Sequence, residues 1–84
     1  MGLLSRFSKH PDIERLAAIG DYDRLILALK SKTETIRRRA EGVLMQMLER
    51  IPLALIITSS SDKNPHVRTW AAKARSQIMD WARK

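Results

Sequence analysis

The sequence has no cysteine. Disulfide staples and thiolate metal sites are therefore excluded, and a reducing, cytoplasmic setting is expected. Its three glycines, Gly2, Gly20 and Gly42, are too scattered to form a phosphate-cradling loop. No serine stands in a Gly-x-Ser-x-Gly turn. The two histidines, His10 and His66, sit beside Pro11 and Pro65 with no second ligand at metal spacing, and they read as surface or cap residues. The close acidic pairs Asp12/Glu14 and Asp21/Asp23 fall at presumed helix starts, where capping explains them. Neither an enzyme, a metal nor a cofactor is expected. No apolar run reaches the roughly 18 residues of a membrane span. The longest, Ile51 to Ile57, is interrupted by Pro52.

The N-terminal stretch Met1 to Phe7 is too short for a signal peptide, and Arg6 stands where a myristoylation motif requires Ser or Thr. Leu3, Leu4 and Phe7 either touch a membrane surface or belong to a flap, residues 1–10, that packs on the first helices. The flap is the plainer reading, and Met1 argues for an intact start.

What is present is a chain of 84 residues, 44% apolar, which makes one domain with a thin core. Its net charge is +7, so its partners are expected to be anionic: an acidic protein surface, nucleic acid or an anionic membrane.

The periodicity is helical throughout, and alternating strand patterns are missing. Pro11 and Asp12 open a short helix carrying Ile13, Leu16 and Ala17, and Gly20 closes it. Asp21 then caps a helix whose buried face is Tyr22, Leu25, Ile26 and Leu29. After a polar turn, Lys30 to Thr33, with Thr33 as N-cap, the stripe Ile36, Ala40, Val43, Leu44, Met47 and Leu48 predicts a longer helix. Pro52 begins a helix with Leu53, Ile56 and Ile57 facing inward; apolar nearly all round, it is expected to be the most buried. Ser59 to Asn64 reads as the clearest loop. Asn64 and Pro65 then start the last helix, with the apolar face Val67, Trp70, Ala71, Ala74, Ile78 and Trp81.

Two segments repeat. Ile36-Arg37-x-x-Ala40 matches Val67-Arg68-x-x-Ala71, a period of 31. The same shift places Leu25 and Ile26 on Ile56 and Ile57, and Met47 on Ile78. Such a period in helical pairs marks a solenoid, in which each hairpin buries an apolar flank against the next.

At these residues the chain resembles the short HEAT-like repeats of phycobilisome-lyase relatives. The resemblance rests on Ile19-Gly20-Asp21, on Leu25-Ile26-x-Ala28-Leu29-Lys30, on Ile36-Arg37-x-x-Ala40, and again on Asn64-Pro65-His66-Val67-Arg68-x-x-Ala71. It covers roughly residues 12–80. It implies an all-α fold, a short right-handed α–α superhelix of two helical hairpins with an N-terminal capping helix. The divisions are a flap (1–10), a cap (11–20), repeat one (21–48) and repeat two (49–84). It further implies that a turn Asp bonds the second-helix Arg, as the spacing of Asp62 and Arg68 allows. Ser31 stands at the matching place before Arg37, so that bond is expected to be lost there. One departure is that the second repeat opens with Glu49-Arg50-Ile51-Pro52 in place of the Gly-Asp turn.

The basic excess lies mainly in the second helices. Residues 32–48 carry four basic and two acidic side chains, and residues 62–84 carry six and two. In HEAT-like stacks these helices line the concave face, so the resemblance makes this the binding surface. Arg68 and Arg75 share a stripe, and with Arg37, Arg38, Lys73, Arg83 and Lys84 they are expected to form one positive groove. The plainer alternative is a solvated face, with Arg37 and Arg68 tied into their turns. The leading expectation is a scaffold or adaptor that holds an acidic protein partner on this face. The alternative is phosphate-backbone binding of nucleic acid, although aromatic side chains do not interleave with the basic ones as a single-strand platform requires. A third is a homodimer through the solenoid ends: Trp70 reads as core, while Trp81, near the chain's end, reads equally as core or as a self-association residue.

Overall fold

The structure is a computed structural model that describes residues 12–83, and within them the chain is all-helical. The expectations for the flap, His10, Pro11 and Lys84 lie outside the described residues. Five α-helices follow one another: α1 (Ile13–Ile19), α2 (Tyr22–Ala28), α3 (Glu34–Gln46), α4 (Leu53–Ser60) and α5 (Pro65–Arg83), with a 3₁₀ turn, Leu48–Arg50, after α3.

Local chemistry sets the helix ends. Asp12 caps α1 by accepting the Arg15 N–H at 3.1 Å, and Asp21 caps α2 by accepting the Arg24 N–H at 3.2 Å. Gly20 ends α1 at φ +71°, a left-handed conformation that a side chain resists. The Asp21 N–H then reaches the Leu16 carbonyl at 2.9 Å and the Gly20 N–H reaches that of Ala17 at 3.1 Å, the paired bonds of a Schellman turn. Asn64 caps α5 through the His66 N–H at 2.8 Å, and Pro65 takes the first helical position as expected.

Thr33 occupies the N-cap of α3, but its hydroxyl makes no cap bond there; its own N–H donates to the Ser31 hydroxyl at 3.1 Å. The loop expected over Ser59–Asn64 is shorter. Ser59 is buried and Ser60 ends α4, its hydroxyl donating to the Ile56 carbonyl one turn back. No Gly or Pro interrupts that serine run, so the helix continues into it. Where Glu49-Arg50-Ile51-Pro52 leads into α4, Ile51 folds into the core behind the 3₁₀ turn and Pro52 precedes the helix in a non-helical conformation.

The helices pack as hairpins, α2 on α3 and α4 on α5. The first helix, α1, lies against both α2 and α3, and α3 meets α5. The core follows the expected stripes: Leu25, Ala40, Leu44, Ile56, Val67, Trp70, Ala71 and Ala74 are almost fully buried. Each buried large aliphatic side chain contributes about 1.5–3 kcal/mol. Trp70 lies within the core, and its indole N–H meets no acceptor among the described residues.

The expectation for α4 is corrected. Leu53 and Ile57 are 55% and 56% exposed, and only Ile56 and Ser59 of this helix are buried. An apolar composition buries a helix only where neighbours surround it, and α4 packs chiefly on α5.

Candidate partner-binding face

The arginines of the repeated motif are positioned by their turns. Each sits near the start of the second helix of a hairpin, and its guanidinium folds back toward the polar turn six residues earlier. Arg37 Nη1 donates to the Ser31 carbonyl oxygen at 2.7 Å. Arg68 Nη1 donates to the carbonyls of Asp62 and Lys63 at 2.9 and 2.8 Å. The two braces are the same bond one period apart.

No carboxylate meets Arg37, as Ser31 led one to expect, but the Ser31 main-chain carbonyl takes the guanidinium in its place. Arg68 likewise bonds the main chain of the turn, not the Asp62 carboxylate. That carboxylate accepts the Asn64 N–H at 2.8 Å and lies 3.4 Å from Lys30 Nζ. It thus links the turn of one hairpin to the turn of the other. The Asn64 N–H, and after it Lys30 and Arg68, hold the Asp62 carboxyl below its ordinary range against the opposing effect of desolvation.

The remaining expected cations have different fates. Arg38 pairs with Glu34 one turn earlier at 3.0 Å, and Arg83 pairs with Asp80 at 2.7 Å. Lys73 reaches across to Glu41 of α3 at 2.7 Å and ties the two second helices together. Arg75 is the one member of the set with neither an ion pair nor a side-chain hydrogen bond among the described residues. It shares a shallow surface depression of about 430 Å³ with Ala72, Ser76, Met79 and Arg83. The structure therefore brings Arg75 and Arg83 together, and it turns Arg37 and Arg68 away toward their own turns. Trp81, near the end of α5, is 41% exposed, and Met79 is exposed as well.

Sequence reasoning missed Glu41 and Lys30 as partners across the hairpins, and also the Arg39–Glu14 pair at 2.7 Å that fastens α3 to α1. These pairs are far apart in sequence and depend on how the hairpins stack, so no local pattern announces them. It also missed a groove of about 660 Å³ between α1 and α2, where Ile19 and Leu27 are exposed. The signal was there: both are large aliphatic residues off the buried stripes.

Among the described residues, no group of three or more acidic or histidine side chains is placed to hold a metal ion, and no helix is long and apolar enough to cross a membrane. No family model, curated protein or solved structure matches the chain.

Proposed function

We propose that the chain is a non-catalytic, HEAT-like helical-repeat scaffold of the cytoplasm: a short right-handed superhelix capped by α1, which holds an acidic protein partner on its α3/α5 face. The observation that carries the reading is Arg75. It is a cation without a partner among the described residues, beside exposed Met79 and a second guanidinium, Arg83. A carboxylate flanked by an aliphatic side chain complements that composition.

Two further features support it. The Arg37 and Arg68 braces hold each second helix against the turn of its own hairpin, which lowers the ordering cost of binding. The ion pairs of Arg38, Lys73 and Arg83 are exposed, and such pairs contribute about 0–1 kcal/mol, so a partner's carboxylates exchange into them readily.

Fluorescence anisotropy tests the reading, with a labelled glutamate-rich peptide and labelled duplex DNA titrated at several salt concentrations. The peptide is expected to bind at physiological salt and to weaken about tenfold in Arg75→Glu, while the duplex signal disappears as salt rises. Arg75→Glu is preferred to Arg68→Glu, which would also break a turn. Duplex binding that persists at physiological salt, with no peptide binding, would replace the protein partner with nucleic acid. Sedimentation of the wild type and Trp81→Ala tests the homodimer: a dimer that Trp81→Ala dissolves would assign the end of α5 to self-association.

A further inference from the structure

The groove between α1 and α2 lies apart from the α3/α5 face. Asp12, Arg15, Leu16 and Ile19 line it from α1, and Arg24 and Leu27 from α2. Ile19 and Leu27 are 65% and 59% exposed, so two large aliphatic side chains meet water on one concavity.

Its surroundings are acidic. Residues 12–29 carry Asp12, Glu14, Asp21 and Asp23 against Arg15 and Arg24 alone. Asp21 lies 3.5 Å from the Arg24 guanidinium, and Glu14 is taken by Arg39 of α3. Asp12 and Asp23 have no ion pair among the described residues. In a chain of net charge +7 this stretch runs the other way, and an apolar, basic cover complements it.

Such a cover is tied to the groove already. Asp12 is both the N-cap of α1 and part of the lining, so residues 1–11 join the chain at the groove's edge. Their formally charged side chains are Arg6 and Lys9, both basic, and their large apolar ones include Leu3, Leu4 and Phe7. Leu3 and Leu4 stand four and three residues before Phe7, the spacing of one helical face. Pro11 disfavours helical backbone at His10, which lets the segment turn back over α1 instead of extending it. Five residues of chain from Asp12 to Phe7 span up to about 17 Å, and α1 is about 10 Å long, so Phe7 can reach any point along it. The tether gives the segment an effective concentration on the order of millimolar, so a weak contact suffices. A second copy lacks this tether, and an acidic guest meets the surplus carboxylates.

We propose that the leading residues, 1–11, are a strap that closes the α1–α2 groove. The strap seats Leu3, Leu4 and Phe7 over Ile19 and Leu27, and sets Arg6 and Lys9 among the carboxylates of α1 and α2. It leaves the α3/α5 face open, and either feature stands without the other.

The chain has no cysteine, so Ser5→Cys gives the full chain a single attachment point for a nitroxide. Amide NMR of the ¹⁵N-labelled protein, before and after reduction of the nitroxide, then reads how close the strap comes to α2. Broadening is expected at Leu27 and its neighbours in α2. In Leu3→Ser/Leu4→Ser/Phe7→Ser, which keeps the tether and loses the apolar seat, it should fall at least about threefold. Ile19→Ser/Leu27→Ser, both at exposed positions and checked for helicity by circular dichroism, should weaken the broadening across the rest of α2 by a similar factor. Arg6→Glu/Lys9→Glu should weaken it about twofold at low salt and less at high salt.

No broadening in α2, or equal broadening in the triple serine variant, would reduce the contact to tether proximity and overturn the proposal. Broadening of ¹⁵N-labelled chains by nitroxide carried on unlabelled ones would assign the groove to a second copy. No broadening in α2, together with shifts of the Leu3, Leu4 and Phe7 amides on anionic vesicles, would assign the segment to a membrane surface.

Discussion

The two hairpins share a register but differ in how much of their first helix they bury. Leu25 in α2 and Ile56 in α4 occupy matching positions and are both fully buried, as are Ala28 and Ser59. Ile26 and Ile57 also match, yet Ile26 is 9% exposed and Ile57 is 56% exposed. The difference lies in the neighbours. The inner helix α2 is held between α1 and α3, while α4 rests chiefly on α5. Position in the stack, more than the identity of the side chain, decides what a given apolar residue contributes.

The sharpest way to break this comparison is to truncate the matching isoleucines. Ile26→Ala is expected to cost about 2–3 kcal/mol in urea denaturation, and Ile57→Ala no more than about 0.5 kcal/mol. Equal costs would mean that α4 is covered as fully as α2. Next come the braces. Arg37 is half-buried and Arg68 is exposed. Arg37→Ala should therefore cost about 1.5–2 kcal/mol and Arg68→Ala about 1 kcal/mol or less, although Arg68 makes the additional bond.

The glycines separate turn from helix. Gly20→Ala should destabilise by about 1 kcal/mol because of its positive φ. Gly42→Ala, inside α3 with nothing within 4 Å of the added carbon, should stabilise by about 0.5–1 kcal/mol. Thermal melts of the two variants should therefore shift in opposite directions.

The smallest effect concerns the link between the turns. The Asp62 carboxyl titrates below its ordinary value of 3.8 in the folded chain. Its stabilising contribution is thus complete at pH values above the unfolded value and is lost as pH falls through the folded one. Asp62→Asn should be less stable than the wild type at neutral pH, and the difference should vanish in acid. A gap that widens in acid would reverse the sign of the argument.

The helices and most of the core were legible in the sequence because their information is local. The stripes Ile36–Ala40–Leu44 and Val67–Trp70–Ala71–Ala74, the caps Asp12, Asp21 and Asn64, and the stop at Gly20 each depend on neighbours within a turn or two. The 31-residue period also aligned Arg37 with Arg68, although the reading of Ser31 set the two apart. What escaped was tertiary. Leu53 and Ile57 read as core because the sequence does not say on which side a helix lacks a neighbour. Ser31 read as a broken link because side-chain identity hides the carbonyl that accepts the bond. Of the candidate face, the basic excess on α3 and α5 was legible, but which of its cations are occupied by Glu34, Glu41 and Asp80 was not.

An amide NMR titration of the full chain with a glutamate-rich peptide tests the central claim most directly. The account predicts saturable shifts concentrated on the α5 amides around Arg75 and Met79, and their loss in Arg75→Glu. Shifts absent from α5, or reproduced there by duplex DNA but not by the peptide, would contradict it.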